Sequence, residues 1–313
     1  MSRVTVVGAG NVGATCANIL AINKIASEII MLDVKEGVAE GKTIDMLQAV
    51  QTLGFESKIT GVTGDFSKTA NSDIVVITSG IPRKQGMTRE ELLGTNAGIV
   101  KDVACSCLRY SPDAIFIIIS NPMDTMTYLA LKATGLPKNR VFGMGGVLDS
   151  SRFKYYLSQA LRVNPAQVDG MVIGGHGDTT MIPLKRLATY NEIPVTELLS
   201  AETLDKVVAD TMIGGATITA LLGISSWYAP GASAAFVAQS IINDYKRLMP
   251  SCVYLEGEYG QNDICIGVPA IIGKNGVEGI VTLKLNDEEK ALFEKSANTV
   301  RSTNQVLKEI NML

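Results

Sequence analysis

Residues 4 to 13 read VTVVGAGNVG, in which a β-branched apolar run leads directly into glycines with GxGxxG spacing. This spacing is weak evidence by itself, because glycines also occur in many turns. Here Gly8, Gly10 and Gly13 follow a predicted strand and open a predicted helix over residues 14–25. Such a turn lets the backbone approach a pyrophosphate and directs N–H groups of a helix N-terminus at it. The stretch predicts a dinucleotide-binding βαβ unit; a βαβ unit without a ligand is the alternative.

An acidic residue supports the nucleotide interpretation. The second apolar run, residues 29–32, ends in Asp33, which follows Gly13 by 20 residues. A carboxylate at this place accepts hydrogen bonds from the ribose hydroxyls of adenosine and repels a 2′-phosphate. The sequence therefore predicts NAD, rather than NADP, as the cofactor.

Apolar segments of strand length alternate with segments of helical periodicity through the first half of the chain. In that half, strands are predicted at residues 4–7, 29–32, 59–62, 73–78, 114–119 and 141–144, and helices at 14–25, 37–50 and 90–109. Continuous apolar strands of this kind are typical of a parallel sheet that helices cover on both faces. The prediction for residues 1–145 is an α/β fold, a Rossmann-type doubly wound parallel sheet.

The second half, residues 146–313, has a different pattern. Its predicted elements are a helix at 149–161, strands at 168–174 and 180–185, a helix-rich segment at 195–243, a small antiparallel sheet from 252–256, 264–272 and 279–285, and a terminal helix at 287–310 capped by Asn286 or Asp287. We predict a mixed α+β catalytic domain here, with the domain boundary near Gly145 and Gly146.

The bulk composition excludes several classes of protein. The chain has a net charge of −3, 46% hydrophobic residues and no lysine- or arginine-rich run, so nucleic acid is not expected as a partner. Its five cysteines form no CxxC pair and no metal-ligand spacing, so no metal is expected. Because the first strand starts almost at Met1, no signal peptide is expected, and the odd number of thiols is typical of a reduced, cytoplasmic protein.

Residues 211–243 contain no charged residue, a length that raises the question of a membrane span. Glycines, serines and Pro230 interrupt the segment, and residues 223–231 have the composition of a break between helices. We therefore predict two buried helices, partly at a subunit interface of a homodimer or homotetramer, and no membrane contact.

His176, the single histidine of the chain, lies in the sequence VIGGHGDTT, residues 172–180. An apolar run ends at two glycines directly before it, which predicts a strand end, where functional residues often lie. Histidine alone titrates near neutral pH without perturbation, so proton transfer would fall to His176. A structural histidine with an ordinary hydrogen bond is the alternative that the local sequence leaves open.

Three further motifs contain candidate ligand-binding residues. The basic loop SGIPRKQGMTR follows a buried strand and contains Arg83 and Arg89. Asn121 precedes a proline at the end of another buried strand, and Asp149 and Arg152 share one face of a helix. Taken singly, these are also the patterns of a solvated basic loop, an Asn-Pro turn and a local salt bridge.

Together the motifs resemble the lactate/malate dehydrogenase family. GAGNVG with the acid after the second strand, GIPRKQGMTR, SNP, LDSSRF and GGHGD occur in the family's order, and the resemblance extends over essentially all 313 residues. It implies hydride transfer from a 2-hydroxy acid to NAD, or from NADH to the corresponding 2-oxo acid. The cofactor contacts that it implies are Gly8, Gly10, Asn11, Val12, Gly13, Asp33, Asn96, Ile119 and Asn121.

The resemblance also implies roles for the charged residues. His176 is expected to be the general acid/base, held by Asp149, and Arg152 is expected to bind the C1 carboxylate of the substrate. Arg89 is expected to polarise the reacting carbonyl when its loop closes. Arg83 is expected to bind the second carboxylate of a four-carbon diacid.

A second carboxylate distinguishes malate from lactate, so Arg83 favours the members of the family that act on malate. We expect interconversion of (S)-malate and oxaloacetate, with Asn121 contacting both the nicotinamide ribose and the substrate. Another 2-hydroxyacid dehydrogenase, such as one acting on lactate, is the alternative; a non-catalytic dinucleotide-binding protein would not need the charged set. Gln85 departs from the family pattern, where proline is common, and the pocket wall around Ser225 and Ser226 is left unassigned.

Overall fold

The computed structural model describes residues 2–81 and 88–313, without the side chain of Arg89. Strands among these residues are β1 (Arg3–Val7), β2 (Glu28–Asp33), β3 (Lys58–Thr63), β4 (Ile74–Ile77), β5 (Ile115–Ile118), β6 (Val141–Gly143), β7 (Val168–Asp169), β8 (Val172–Gly174), β9 (Met181–Pro183), β10 (Thr189–Tyr190), β11 (Ile193–Pro194), β12 (Arg247–Glu256), β13 (Asn262–Gly273) and β14 (Gly276–Ile280). Helices are α1 (Asn11–Ile22), α2 (Val38–Gln48), α3 (Val50–Leu53), α4 (Arg89–Tyr110), α5 (Met123–Thr134), α6 (Gly145–Leu161), α7 (Ala201–Met212), α8 (Gly214–Leu222), α9 (Tyr228–Ile242) and α10 (Asp287–Glu309).

The strands of the first half form a parallel sheet in the order β3-β2-β1-β4-β5-β6. This is the order of a doubly wound nucleotide-binding sheet, which reverses direction between β1 and β4 and leaves a crevice at their carboxyl ends. The predicted Rossmann-type fold is therefore confirmed. The crevice lies where Gly8 follows β1 and Thr78 follows β4.

Both faces of the parallel sheet are buried, as β4 illustrates. Its successive side chains point to opposite faces, and all of them are buried. Ile74 and Val76 belong to a core that includes residues of α1 and α9, whereas Val75 and Ile77 belong to a core that includes residues of α4 and α5. Because neither face meets water, the strand is apolar at every position.

The three strands predicted as a small antiparallel sheet do pair antiparallel, as β12, β13 and β14, but they extend the large sheet instead of standing alone. β12 pairs with β6, and the large sheet continues in the order β6-β12-β13-β8-β9, with β14 paired to β13. The predicted strand at 168–174 is two strands, because β7 belongs to a second, three-stranded sheet in the order β11-β10-β7, whereas β8 belongs to the large sheet. A local apolar pattern does not specify which strand is the neighbour, and this is why the pattern misled.

Several helix boundaries differ from the prediction. Helix α1 begins at Asn11 and α6 at Gly145, both earlier than predicted, because glycines in their first turns hide the helical periodicity. Helix α5 was not predicted, although Pro122 precedes it and Gly135 follows it. Its residues 123–131 are all buried, so one-sided periodicity is absent. The predicted domain boundary falls in the first turn of α6 and stays a prediction.

Of the two buried helices predicted within residues 211–243, only α9 is buried in this chain. Helix α8 buries Gly214 alone and exposes Leu221 to 80% and Leu222 to 56%, because its apolar side chains point away from the protein. Among residues 2–81 and 88–313, no helix is both long enough and apolar enough to span a membrane.

Candidate active site

The turn between β1 and α1 is too tight for side chains at two positions. Gly8 has a φ of +100°, and an ideal Cβ on Gly13 would lie 1.9 Å from the Gly8 carbonyl oxygen. By contrast, an ideal Cβ on Gly10 meets no atom within 4 Å, so this glycine faces open space. The first N–H groups of a helix lack intrahelical acceptors and favour an anion. A pyrophosphate therefore fits the space in front of α1.

Asp33, at the end of β2, lies beside this turn. Its carboxylate accepts hydrogen bonds from the backbone N–H groups of Ala9 at 2.7 Å and Lys35 at 2.9 Å. These bonds orient the carboxylate next to the glycine turn. An adenosine ribose bound in the crevice would lie within its reach, as the sequence predicts.

A cavity of about 880 Å³ extends from the crevice into the second half of the chain. The predicted site residues on its wall are Val12, Asn96, Ile119, Asn121, Arg152 and His176. Ser225 and Ser226, which the sequence left unassigned, also line it. The volume lies within the range of small-molecule sites.

His176 follows β8 and forms the centre of a charged group. Its Nδ1 lies 2.8 Å from Asp149 Oδ2, while Asp149 Oδ1 accepts a hydrogen bond from Arg152 Nη1 at 3.1 Å. The side chain of Asp149 is 3% exposed, that of His176 16% and that of Arg152 13%. The carboxylate is thus buried between two partners, which themselves reach the cavity. With Nδ1 bonded to Asp149, Nε2 is the nitrogen left for a ligand.

Opposing effects set the pKa of His176. Burial lowers this pKa because it disfavours the imidazolium, whereas the charge of Asp149, its hydrogen bond and the charge of Asp124 raise it. Arg152 lowers it further. The net result is a pKa above the ordinary value for histidine, so the protonated form persists to higher pH.

Asp124, in the first turn of α5, is a site residue that the sequence reasoning missed. Its Oδ2 accepts a hydrogen bond from the backbone N–H of His176 at 2.6 Å, and its buried Oδ1 has no partner among the described residues. Burial raises the pKa of Asp124, and the bond from His176 opposes that rise. An acid in a first helical turn usually indicates only a favourable contact with the helix dipole, so this role carries no distinct signal.

Asn96 and Asn121 are brought together at the edge of the cavity. The Asn96 Oδ1 accepts a hydrogen bond from the Ile81 N–H at 2.9 Å, and its Nδ2 donates to the Asn121 carbonyl oxygen at 2.9 Å. The Asn96 side chain therefore links the backbone of Ile81 to the backbone of Asn121, in the turn after β5. The peptide bond between Asn121 and Pro122 is cis.

Arg83 lies outside the described residues, and of Arg89 only the backbone is described, at the start of α4. Thr88 caps this helix by accepting a hydrogen bond from the Glu91 N–H at 3.1 Å. The roles of Arg83 and Arg89 stay predictions.

Comparison with known proteins identifies the family. Residues 2–143 match the model for the lactate/malate dehydrogenase NAD binding domain, and residues 146–310 match the model for the lactate/malate dehydrogenase alpha/beta C-terminal domain. The chain belongs to the lactate/malate dehydrogenase family. The predicted NAD cofactor and the predicted class, an NAD-dependent oxidoreductase, are thereby confirmed.

Relatives of this lactate/malate dehydrogenase family member match it over its full length. Malate dehydrogenase of Parabacteroides distasonis is 69% identical over 313 residues, 100% of both chains. The solved malate dehydrogenase from Salinibacter ruber is 41% identical, with a TM-score of 0.94 over 99% of this chain and 98% of that one. Lactate dehydrogenase from Cryptosporidium parvum, solved with lactic acid and the nicotinamide dinucleotide, is 36% identical, with a TM-score of 0.93 over 98% of each chain.

Proposed function

We propose that the chain is an NAD-dependent malate dehydrogenase that interconverts (S)-malate and oxaloacetate. The observation that carries the chemistry is the group formed by His176, Asp149 and Arg152 on a cavity that begins at the nucleotide turn. The choice of malate is supported by the 69% identical relative with that name and by Arg83 in the sequence.

The first half of the chain supplies a fitting site for NAD. The N–H groups at the start of α1 would hold the pyrophosphate, and Asp33 would accept hydrogen bonds from the adenosine ribose. Val12, Ile119 and Asn121 on the cavity wall would contact the nicotinamide end. When bound, NAD accepts or supplies the hydride.

His176 transfers the proton that accompanies hydride transfer. Its Nε2 takes the proton from the malate hydroxyl and returns it to the carbonyl oxygen of oxaloacetate. Asp149 keeps Nδ1 protonated and stabilises the imidazolium, as the 2.8 Å bond supports. In the reduction, the imidazolium also meets the negative charge that develops on the substrate oxygen.

Arg152 binds the C1 carboxylate of the substrate. The bond from its Nη1 to Asp149 fixes the guanidinium. Arg152 also lines the cavity that the substrate would enter, so a carboxylate bound there would lie within reach of its guanidinium. From the sequence, Arg83 would pair with the second carboxylate and Arg89 with the reacting oxygen.

Lactate dehydrogenase is the second candidate, because a lactate dehydrogenase structure with bound lactic acid superposes on the chain with a TM-score of 0.93. Lactate and malate share the carboxylate and the hydroxyl that Arg152 and His176 would contact. These two residues therefore serve either substrate. The choice between malate and lactate depends on which residue contacts the group that differs, a second carboxylate in malate and a hydrogen in lactate.

The decisive experiment measures NADH oxidation by the purified chain with oxaloacetate, pyruvate and 2-oxobutyrate. We expect kcat/KM for oxaloacetate to exceed that for pyruvate by at least about 100-fold, a ratio that one lost charge-pair partner can produce. A preference for pyruvate would establish the lactate alternative. Tight NADH binding without turnover of any of the three would indicate a dinucleotide-binding protein instead.

We also propose that the chain forms a homodimer or homotetramer. An apolar groove of about 620 Å³ contains Phe236 and Leu248, which are 42% and 51% exposed in the single chain. Apolar side chains exposed next to one another are typical of subunit interfaces. The cytoplasmic location expected from the sequence stays a prediction.

A further inference from the structure

Ser296, a buried residue of α10, holds both ends of the segment that carries His176. Its Oγ accepts a hydrogen bond from the Gly175 N–H at 2.9 Å and donates one to the Thr180 carbonyl oxygen at 2.8 Å. Gly175 directly precedes His176, yet Ser296 is 121 residues away from Gly175 in sequence. A single hydroxyl of the terminal helix therefore closes this loop.

The loop has little freedom to move while these bonds are in place. The Thr180 hydroxyl shares its one proton between the carbonyl oxygens of Gly175 at 3.0 Å and Gly177 at 3.1 Å. An ideal Cβ on Gly175 would lie 2.9 Å from Val300 Cγ2, so α10 also packs tightly against the loop. A peptide held from both sides transmits its position directly to the next side chain.

We propose that Ser296 is a positioning residue for the reaction, which fixes the Gly175 peptide so that the His176 imidazole stays aligned between Asp149 and the substrate. The inference depends on the proposed role of His176 as the acid/base. Without the hydroxyl, the Gly175 N–H and the Thr180 carbonyl would be buried and unpaired. The loop would relax to satisfy them, and a misplacement of about 1 Å at the reacting groups can lower the rate about 100-fold.

A purely structural serine would give a different result, and the chain offers a matched control. Ser240 of α9 is also buried, donates to the Ile272 carbonyl oxygen at 2.7 Å and accepts a hydrogen bond from the Arg247 N–H at 3.4 Å. It therefore bridges a helix to neighbouring backbone as Ser296 does, but none of its partners belongs to the site. Ser240→Ala removes the same atom and the same kinds of bond.

The test compares Ser296→Ala with Ser240→Ala in kcat and KM for oxaloacetate, in NADH affinity by fluorescence and in thermal unfolding. We expect Ser296→Ala to lower kcat about 10- to 100-fold with NADH affinity almost unchanged. Ser240→Ala should lower the melting temperature while kcat is retained. An unchanged kcat in folded Ser296→Ala would overturn the inference, and so would equal losses of kcat in both variants.

Two further variants keep the result decisive. If Ser296→Ala does not fold, Ser296→Cys retains the volume with weaker hydrogen bonds, and its kcat is expected to fall in the same way; full kcat there would overturn the inference. His176→Asn separates the two proposals. Full turnover in His176→Asn would refute the proposed function. If His176→Asn is inactive but Ser296→Ala keeps full turnover, only the role of Ser296 is refuted.

Discussion

Among single residues, His176 is the one on which the proposed chemistry depends most directly. His176→Asn retains a polar side chain but no group that titrates near neutral pH. We expect NADH affinity to be nearly unchanged and kcat to fall about 100- to 10,000-fold, the usual contribution of general acid–base catalysis. Steady-state kinetics and a fluorescence titration measure the two quantities. A variant that keeps most of its turnover would place the proton transfer on another residue.

The pH dependence tests the pairing of Asp149 with His176. In the proposed mechanism, reduction of oxaloacetate needs the protonated imidazole, so kcat/KM for reduction should fall as pH rises through the pKa of His176. Burial lowers this pKa, but Asp149 raises it by charge and by hydrogen bond. Asp149→Asn removes the charge, so the pKa of His176 should fall, and the decrease in kcat/KM for oxaloacetate should occur at lower pH.

Asp149→Asn should also shift the pH profile of kcat/KM for malate oxidation. In the proposed mechanism, oxidation of malate needs the neutral imidazole, so kcat/KM should rise with pH, and this rise should begin at lower pH in Asp149→Asn. Asp287→Asn is the control, because Asp287 is exposed and pairs with Lys290 rather than with the site. Profiles of Asp149→Asn that coincide with those of the wild type would rule out Asp149 as the source of the raised pKa.

Arg83 is predicted to select malate over lactate. Burying the second carboxylate of malate without a cation is costly, and with pyruvate Arg83 would face a methyl group. Arg83→Gln should lower kcat/KM for oxaloacetate and raise it for pyruvate. Losing one partner of a buried pair costs about 3–5 kcal/mol, so the preference should change at least about 100-fold. Lys84→Gln is the control on the same loop. If the ratio of kcat/KM for oxaloacetate to that for pyruvate changes in Lys84→Gln but not in Arg83→Gln, Lys84 rather than Arg83 selects the substrate.

The sequence predicted the charged residues of the site but not the residues that hold them. The types and order of Asp149, Arg152 and His176 indicated their chemistry, and the fold brings the three side chains together. Asp124 and Ser296 act through hydrogen bonds with backbone N–H groups 52 and 121 residues away. No residue pattern indicates such contacts, because any buried acid or serine can make them once the fold has formed.

At the level of elements, the sequence predicted most strands of the parallel sheet and the cap of the last helix. Asn286 accepts a hydrogen bond from the Glu289 N–H at 2.8 Å, which confirms one of the two predicted caps of α10. The prediction failed for α5, whose residues 123–131 are all buried, and for the joining of β6 to β12. Periodicity reports which faces of an element are buried, whereas strand pairing depends on the whole fold.

The β1–α1 turn provides a prediction about an element rather than a side chain. Gly13→Ala would place a Cβ 1.9 Å from the Gly8 carbonyl oxygen, so both the turn and NADH binding should be lost. Gly10→Ala meets no atom within 4 Å and should fold normally, but its methyl group would occupy the space proposed for the pyrophosphate. We expect its NADH dissociation constant to rise at least about tenfold, roughly 1.4 kcal/mol.

Gly98→Ala is the control for these two variants. Gly98 lies inside α4, and an ideal Cβ there meets no atom within 4 Å. Alanine should therefore raise stability slightly, by about 0.5–1 kcal/mol, without an effect on NADH. Thermal unfolding measures the stability of Gly13→Ala, Gly10→Ala and Gly98→Ala, and an NADH titration measures their affinity for the cofactor. Unchanged NADH affinity in Gly10→Ala would show that no phosphate approaches this turn.

In the whole molecule, the continuous sheet explains how residues from both halves form one site. Strands β12 and β13 connect the parallel strands to β8, which ends beside His176. His176 is therefore placed by the same sheet that carries the nucleotide turn. The sequence predicted the two halves separately, because the pairing of β12 with β6 has no local signal.

The last prediction concerns the assembly of whole chains. Leu248 is 51% exposed on the apolar groove, so the single chain should tolerate Leu248→Glu. If the groove is a subunit interface, association would bury the new carboxylate, so this variant should disrupt the assembly. Leu292→Glu is the control, because Leu292 is 43% exposed on α10, away from the groove. Sedimentation at micromolar concentration should give the wild type and Leu292→Glu at least twice the chain mass of 33.3 kDa, and Leu248→Glu a smaller species. A fully active wild-type monomer would contradict the assembly, and an unchanged Leu248→Glu oligomer would place the interface elsewhere.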